Sequence, residues 1–267
     1  MTAVRKPSGP HDSRGRARIG VIVPFSNSNL EPDMAMMRPP GTSIHFQRAG
    51  GYDLDKVPDS QQMQQFAVAS LDQVLDDLCA VRPDIILYGC TSATLSMGPD
   101  YDREFCERIE ARAGVPAVTA ASALVEALDA LDAHTIGFCS PYTEELNREA
   151  AAFLGACGRQ VIQSAYIGED LGNYGQGDLK PDAVFDLGRR ASHERADAVV
   201  MSCTDMRAVE VIEDMEAETG KPYVTSNQAM MFVAIRRLGL DGQVPGRLGN
   251  ATSLCHPGQA QREPGPR

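Results

Sequence analysis

The sequence predicts an α/β protein made of two four-stranded, all-parallel, doubly wound sheets that face each other across a shared cleft. Three observations point there. Short apolar runs alternate with segments of helical periodicity along most of the chain, the pattern of strands joined by crossover helices. The same units are then written twice. Ile-Gly-Val-Ile-Val-Pro at 19–24 matches Ile-Gly-Phe-Cys-Ser-Pro at 136–141, and Asp-Ile-Ile-Leu-Tyr-Gly-Cys-Thr at 84–91 matches Asp-Ala-Val-Val-Met-Ser-Cys-Thr at 197–204. The interval is nearly the same for both pairs, so the chain reads as an internal duplication. Finally, each repeat puts a cysteine, Cys90 or Cys203, where an apolar strand ends, and open α/β sheets bind ligands at the carboxyl ends of their strands. A (β/α)8 barrel also has eight units, but a duplicated pair of sheets accounts better for the repeat.

The elements follow in order. Strands are expected over 18–23, 43–47, 84–88, 116–119, 135–138, 160–166, 197–201 and 222–225. Helices are expected over 60–81, 101–113, 121–131, 143–157, 182–194, 206–219 and 226–238. In the first helix Met63, Phe66, Ala67, Leu71, Val74, Leu75 and Leu78 recur at three- and four-residue steps, one apolar stripe. Gly114 and Gly220 sit where helix ends favour a left-handed residue, and Pro116 and Pro222 follow two positions later. Each half reads as a flavodoxin-like lobe: 18–132, joined by the last helix at 226–240, and 133–225. Residues 1–17 read as a disordered N-terminal extension and 242–267 as a flexible tail, both rich in Pro and Gly.

Composition narrows the function. Hydrophobic residues make up 43% of the 267, enough for a sizeable core. The net charge of −11 argues against nucleic acid, whose phosphates need clustered Lys and Arg. No apolar run is long enough for a membrane helix, and the basic, polar stretch before Arg18 has no signal-peptide core. Seven cysteines without CxxC spacing suit free thiols in a reducing cytoplasm better than a disulfide framework or a zinc site. The histidines show no ligand spacing, so no metal is expected. The Gly-rich loop at 171–175 lacks a nucleotide-binding pattern, and no cofactor is expected.

The chemistry is therefore sought at the two cysteines. Each closes a strand and precedes a helix N-terminus, whose free N–H groups and positive dipole end favour a thiolate. Thr91, Ser92 and Thr204 place hydroxyl donors beside them. A thiolate is both a soft nucleophile and a competent base. Two of them on opposite faces of a substrate can remove a proton from one side and return one on the other. Cys79, Cys106, Cys139 and Cys157 fall within or beside helices and strands and read as core residues; Cys255 lies in the tail. Asn27 in the turn after the first strand and Tyr142 in its repeat partner suit either carboxylate binding or turn and cap chemistry. Asn173 in the Gly-rich loop either reaches the cleft or turns the chain. Arg207, four residues past Cys203, suits a substrate carboxylate or an exposed helix face.

Ile-Val-Pro-x-Ser-Asn at 22–27, Tyr-Gly-Cys-Thr-Ser at 88–92, Ser-Pro-Tyr at 140–142 and Met-Ser-Cys-Thr at 201–204 together resemble the maleate cis-trans isomerases of the aspartate/glutamate racemase superfamily, with arylmalonate decarboxylases as relatives. The resemblance implies Cys90 as nucleophile and Cys203 as acid/base. It implies Asn27, Tyr142 and Asn173 as substrate-binding residues, with Thr91 and Ser92 cradling a carboxylate and Thr204 beside them. It implies cofactor-independent isomerisation of a small dicarboxylate by thiolate addition, bond rotation and elimination. Amino-acid or hydantoin racemisation uses the same two cysteines. The decarboxylases keep only the second cysteine, so a pair argues against plain decarboxylation. A small-molecule-binding protein without chemistry is the rival from another class. The expected partner is a small carboxylate, and a homo-oligomer stays open. Two departures bear on the substrate: Phe25 precedes Ser26-Asn27 where isomerases commonly carry a second serine, and Cys203 is followed by Thr-Asp-Met-Arg rather than the usual isomerase continuation.

Overall fold

A computed structural model describes residues 15–50 and 71–251. The strands are β1 (Ala17–Pro24), β2 (Thr42–Ala49), β3 (Ile85–Tyr88), β4 (Ala117–Thr119), β5 (Thr135–Ser140), β6 (Gln160–Tyr166), β7 (Ala198–Met201) and β8 (Tyr223–Thr225). They form two four-stranded sheets with orders β2-β1-β3-β4 and β6-β5-β7-β8, all parallel within each sheet. The two orders are the same permutation, so the repeat read from the sequence is a repeat of topology.

The duplication extends to single hydrogen bonds. The Asp84 carboxylate accepts the Arg18 N–H at 2.7 Å; that of Asp197 accepts the Thr135 N–H at 2.7 Å. Glu110 takes the N–H of Ala117 at 2.9 Å and Glu216 that of Tyr223 at 3.0 Å. Gly114 and Gly220 end their helices in the left-handed region, each at φ 70°. Thr119 and Thr225 each open a helix with a reciprocal capping box, worth about 1 kcal/mol apiece.

The helices are α1 (Leu30–Met36), α2 (Leu71–Cys79), α3 (Thr91–Leu95), α4 (Pro99–Ala113), α5 (Ala120–Ala130), α6 (Glu144–Ala156), α7 (Gly172–Gly175), α8 (Pro181–Ala191), α9 (Ile212–Thr219) and α10 (Ser226–Arg237). They cover both sheets, so the central strands are apolar on both faces: Ile19, Val21, Ile85, Leu87, Val199 and Val200 are fully buried. Gly137 is dictated by packing. A Cβ there would strike the carbonyl oxygen of Ala191 at the end of α8. The last helix, α10, returns to pack on α5 and on α1. Among the described residues no helix is long and apolar enough to cross a membrane.

Several expectations change. Of the helix expected at 60–81, the part before residue 71 lies outside the described residues, as do 1–14 and 252–267. The tail expected from 242 onward is packed as far as 251. Val244 and Leu248 are buried, Gln228 Nε2 donates to the carbonyl of Pro245 at 2.8 Å, and the Arg247 N–H donates to Glu216 at 2.8 Å. Its Pro and Gly content marks irregular backbone, and two apolar side chains anchor it. The helix expected from 206 begins only at Ile212, after a 3-10 turn at Val209–Val211. The helices α1, α3 and α7 are too short for their periodicity to register in the sequence.

Candidate active site

The two cysteine turns are built alike. The N–H of Gly89, at the end of β3, donates to Ile22 O at 2.9 Å; that of Ser202, at the end of β7, donates to Cys139 O at 2.8 Å. Each bond carries the chain one residue past its strand to a cysteine. Only glycine fits at 89, since a Cβ would strike the Leu30 side chain and come within 2.8 Å of Ile22 O.

Cys90 is the N-cap of α3, with extended backbone (φ −126°, ψ 97°). The residue is half-buried, and its thiol faces the Ser92 hydroxyl at 3.9 Å. Burial raises the thiol's pKa, while the Ala93 N–H and Ser92 lower it. Cys203 is more enclosed, at 5% exposure. Its S–H donates to Gln176 Oε1 at 3.2 Å, and its sulfur accepts the Asp205 N–H at 3.4 Å. Burial pushes its thiol far up, the Asp205 carboxylate adds to this, and the Cys90 thiol opposes its ionisation too. Both thiols are thus held above the ordinary thiol range, Cys203 the more strongly.

Tyr142 ties the thiols together. It is buried, its hydroxyl lies 3.4 Å from Ser202 Oγ, and it also interacts with Thr91. Burial, then the charges of Cys203 and Cys90, hold its pKa well above the ordinary phenol value, so it remains a neutral donor within the field of both sulfurs. Thr91 donates to Ser226 Oγ at 3.0 Å, and the same oxygen accepts the Cys203 N–H at 3.3 Å. One hydroxyl on α10 therefore links the two cysteine turns.

Asn27 and Thr204 are more engaged than free substrate binders would be. Asn27 Nδ2 donates to Thr204 Oγ1 at 3.0 Å, and Asn27 Oδ1 accepts the N–H groups of Asn29 at 3.1 Å and Leu30 at 2.9 Å. Thr204 gives its only hydroxyl hydrogen to Gly89 O at 2.7 Å. Among the described residues the Asn27 amide donates to Thr204 alone, which leaves its second hydrogen for a ligand, whereas Thr204 has no further donor to offer. Arg207 lies on neither an exposed helix face nor a free site: it sits half-buried in the loop before the 3-10 turn, paired with Glu210 at 2.7 and 2.9 Å. Asn173 lies in α7, and its side chain is outside the described set. Among the described residues no cluster of three or more His, Cys, Asp or Glu could hold a metal.

A family model described as arylmalonate decarboxylase matches residues 19–249, both cysteine turns and the packed C-terminal segment included. The chain belongs to the arylmalonate decarboxylase family. Within that family it is similar to the maleate isomerase of Pseudomonas putida, 29% identical over 247 residues that cover 86% of this chain and 94% of the relative. The arylmalonate decarboxylase of Bordetella bronchiseptica is 22% identical, over 82% of this chain and 86% of that one. Among solved structures, a maleate cis-trans isomerase mutant from Nocardia farcinica, carrying a covalently bound succinylcysteine intermediate, superposes with a TM-score of 0.79 at 25% identity, covering 89% of this chain and 99% of that one.

Three side chains of this arylmalonate decarboxylase family member escaped the sequence reading: Gln176, Asp205 and Ser226. Gln176 lies one residue past the Gly-rich loop at 171–175, and Asp205 two past Cys203. No spacing rule marks a polar side chain that meets its sulfur only through a crossover.

Proposed function

We propose that this chain is a cofactor-independent cis-trans isomerase of a maleate-like dicarboxylate. The observation that carries the reading is the asymmetric thiol pair: a half-buried Cys90 at a helix N-terminus and an enclosed Cys203 whose thiol is raised the more strongly. The relatives named maleate isomerase support it over decarboxylation, since they match this chain at higher identity and greater coverage than the decarboxylase does.

In this mechanism the Cys90 thiolate adds to one alkene carbon of the cis-enedioate. The electron pair of the double bond moves onto the adjacent carbon and its carboxylate as an enediolate. Cys203 gives its S–H proton to that carbon, leaving a succinyl thioether on Cys90 and a Cys203 thiolate. The former double bond is now single and rotates. Cys203 takes a proton back from carbon, that C–H pair becomes the new double bond, the C–S bond breaks with its electrons returning to Cys90, and the trans product leaves with the Cys90 thiolate and the Cys203 thiol restored. Tyr142, Ser92, the remaining Asn27 amide hydrogen and the N–H groups at the head of α3 are the donors nearest this chemistry. A donor aimed at the developing enediolate contributes on the order of 3 kcal/mol. We assign Asn173 to the same set, and Thr91 and Thr204 to holding the turns that present these donors.

The same reading places the protein in a reducing cytoplasm, which its odd number of cysteines without CxxC spacing supports. It gives the chain no nucleic-acid partner, in line with its net charge of −11. It treats 18–132 with the last helix and 133–225 as two lobes, each supplying one cysteine.

Intact-mass measurement tests the reading. Incubated with maleate, Cys203→Ser should gain the mass of one maleic acid on the Cys90 peptide, and the unmodified protein in deuterated water should yield fumarate by NMR. Near-normal turnover in Cys90→Ser would end the proposal.

A further inference from the structure

Asp205 stands at a junction that the two-cysteine scheme does not use. It is a buried carboxylate two residues beyond Cys203, yet its partners come from the opposite sheet. Its Oδ1 accepts the N–H of Ser28 at 2.8 Å, the N–H of Asn29 at 3.1 Å and Asn29 Nδ2 at 3.2 Å, with Ser28 Oγ at 3.5 Å. Asn29 is the N-cap residue of α1 and makes no side-chain cap of its own, so Asp205 holds the turn that leads into that helix from across the cleft, while Asn27 Oδ1 takes the N–H of Leu30, the first helical residue. The same Asn29 amide donates to the carbonyls of Asp205 at 2.8 Å and Gly177 at 3.0 Å. Gly177 follows Gln176, the acceptor of the Cys203 S–H, and leaves room for the carboxylate: a Cβ there would come within 2.8 Å of Asp205 Oδ2 and 2.9 Å of Ser28 Oγ and would push both side chains aside. The carboxylate and the Asn29 amide that it holds therefore join the Asn27 turn, the Gln176 loop and the Cys203 turn.

We propose that Asp205 is a positioning residue for the reaction: its carboxylate, seated on the Ser28–Asn29 turn, locks the Cys203 turn and the Gln176 loop together and supplies the negative charge that keeps Cys203 a proton donor. Burial raises its carboxyl above the ordinary range, and the N–H groups of Ser28 and Asn29 on the same oxygen oppose that shift by favouring the ionised form. The charge stands beside a thiol whose ionisation would place a second anion next to it, and the Cys203 thiol is accordingly raised, by burial first and by Asp205 second. The other titratable groups facing Cys203 are Cys90 from the first sheet and Tyr142 after β5. Asp33 of α1 faces Asp205 from behind, with Arg207 and Glu210 beside it. The catalytic meaning rests on the isomerase reading above; the effect on the thiol does not.

The test is therefore read at the sulfur. Peptide-resolved rates of iodoacetamide alkylation at Cys203 are measured against pH in the full chain, for the unmodified protein and for Asp205→Asn and Asp205→Glu. Asp205→Asn removes the charge and keeps an acceptor; its Cys203 profile should move to lower pH. Each unit of movement is a tenfold gain in thiolate, partly offset by lower nucleophilicity, so the rate near neutrality should rise severalfold. Asp205→Glu should keep the original profile even where turnover falls. Gly177→Ala, which pushes the carboxylate aside without altering it, should shift the profile in the same direction as Asp205→Asn and serves if the latter does not fold. A folded Asp205→Asn or Gly177→Ala whose Cys203 profile matches that of the unmodified protein overturns the proposal. If no dicarboxylate is turned over, the isomerase reading fails while the alkylation profiles still decide the role of Asp205.

Discussion

Thr204, one residue beyond Cys203, donates its hydroxyl hydrogen to the carbonyl of Gly89, one residue before Cys90, across 2.7 Å. This buried bond joins the ends of two strands from different sheets, and Asn27 completes it by donating to the same hydroxyl at 3.0 Å. The separation of the two thiols is thus set by side chains next in sequence to them and does not depend on a distant hinge. Such a link suits a reaction in which two groups must address opposite faces of one small molecule, where misplacement by about 1 Å can cost a hundredfold in rate.

Replacing Thr204 by Val keeps the shape and deletes the hydroxyl. It leaves Gly89 O and one Asn27 donor buried without that partner, a loss of about 1–3 kcal/mol. Thermal denaturation should show a melting point lower by several degrees, at roughly 2–4 °C per kcal/mol for a chain of this size. Turnover should fall by more than the stability loss explains, and Thr204→Ser should restore both. Unchanged melting and turnover in Thr204→Val would show that the staple holds nothing.

Both thiols ionise above the ordinary thiol range, Cys203 the more strongly. The mechanism needs Cys90 as thiolate and Cys203 as thiol. As pH rises, kcat/KM should climb while Cys90 loses its proton, then fall only when Cys203 loses its own, so both limbs of the bell lie on the alkaline side. Gln176 accepts the Cys203 S–H at 3.2 Å, a bond available only to the protonated form. Gln176→Leu should therefore move the descending limb to lower pH and leave the ascending limb in place. An ascending limb in the carboxylate range, or a descending limb that ignores Gln176, would contradict this assignment of roles.

Much of this arrangement was legible before any coordinates, for a physical reason. Parallel strands buried on both faces leave near-continuous apolar runs, and a duplication writes them twice, so eight strands and the positions of Cys90 and Cys203 could be read directly. Tyr142 and Thr91 followed from their place at strand ends. What stayed hidden was the interaction between halves. Asp205 contacts Ser28 and Asn29, far earlier in the chain, and Ser226 reaches both Thr91 and the Cys203 N–H from the head of α10. No local periodicity encodes such meetings. Thr204 shows the same limit from the other side: its place beside Cys203 marked it for the site, but only the fold shows its hydroxyl directed to Gly89 O. At 242–251, Pro and Gly signal irregular backbone but do not reveal that Val244 and Leu248 anchor it.

Asp33 gives a prediction at the level of stability. It lies on α1 at 2% exposure and accepts Asn227 Nδ2 at 2.7 Å. Burial lifts its carboxyl to about 7, with the Asn227 hydrogen bond opposing, Glu210 and Asp205 adding, and Arg207 relieving. Because the folded pKa lies above the unfolded one, the protonated form is favoured by folding. That contribution is complete below the unfolded carboxyl pKa of about 4 and is lost as pH rises through about 7, a swing on the order of a few kcal/mol. Asp33→Asn removes the titration, and its amide adds a donor opposite Asn227 Oδ1, a buried oxygen without a hydrogen-bond partner. The variant should therefore be more stable than the parent at about pH 8 and close to it at about pH 5 in urea unfolding at each pH. An equal stability difference at the two pH values would mean that the Asp33 carboxyl does not change charge between them in the folded protein.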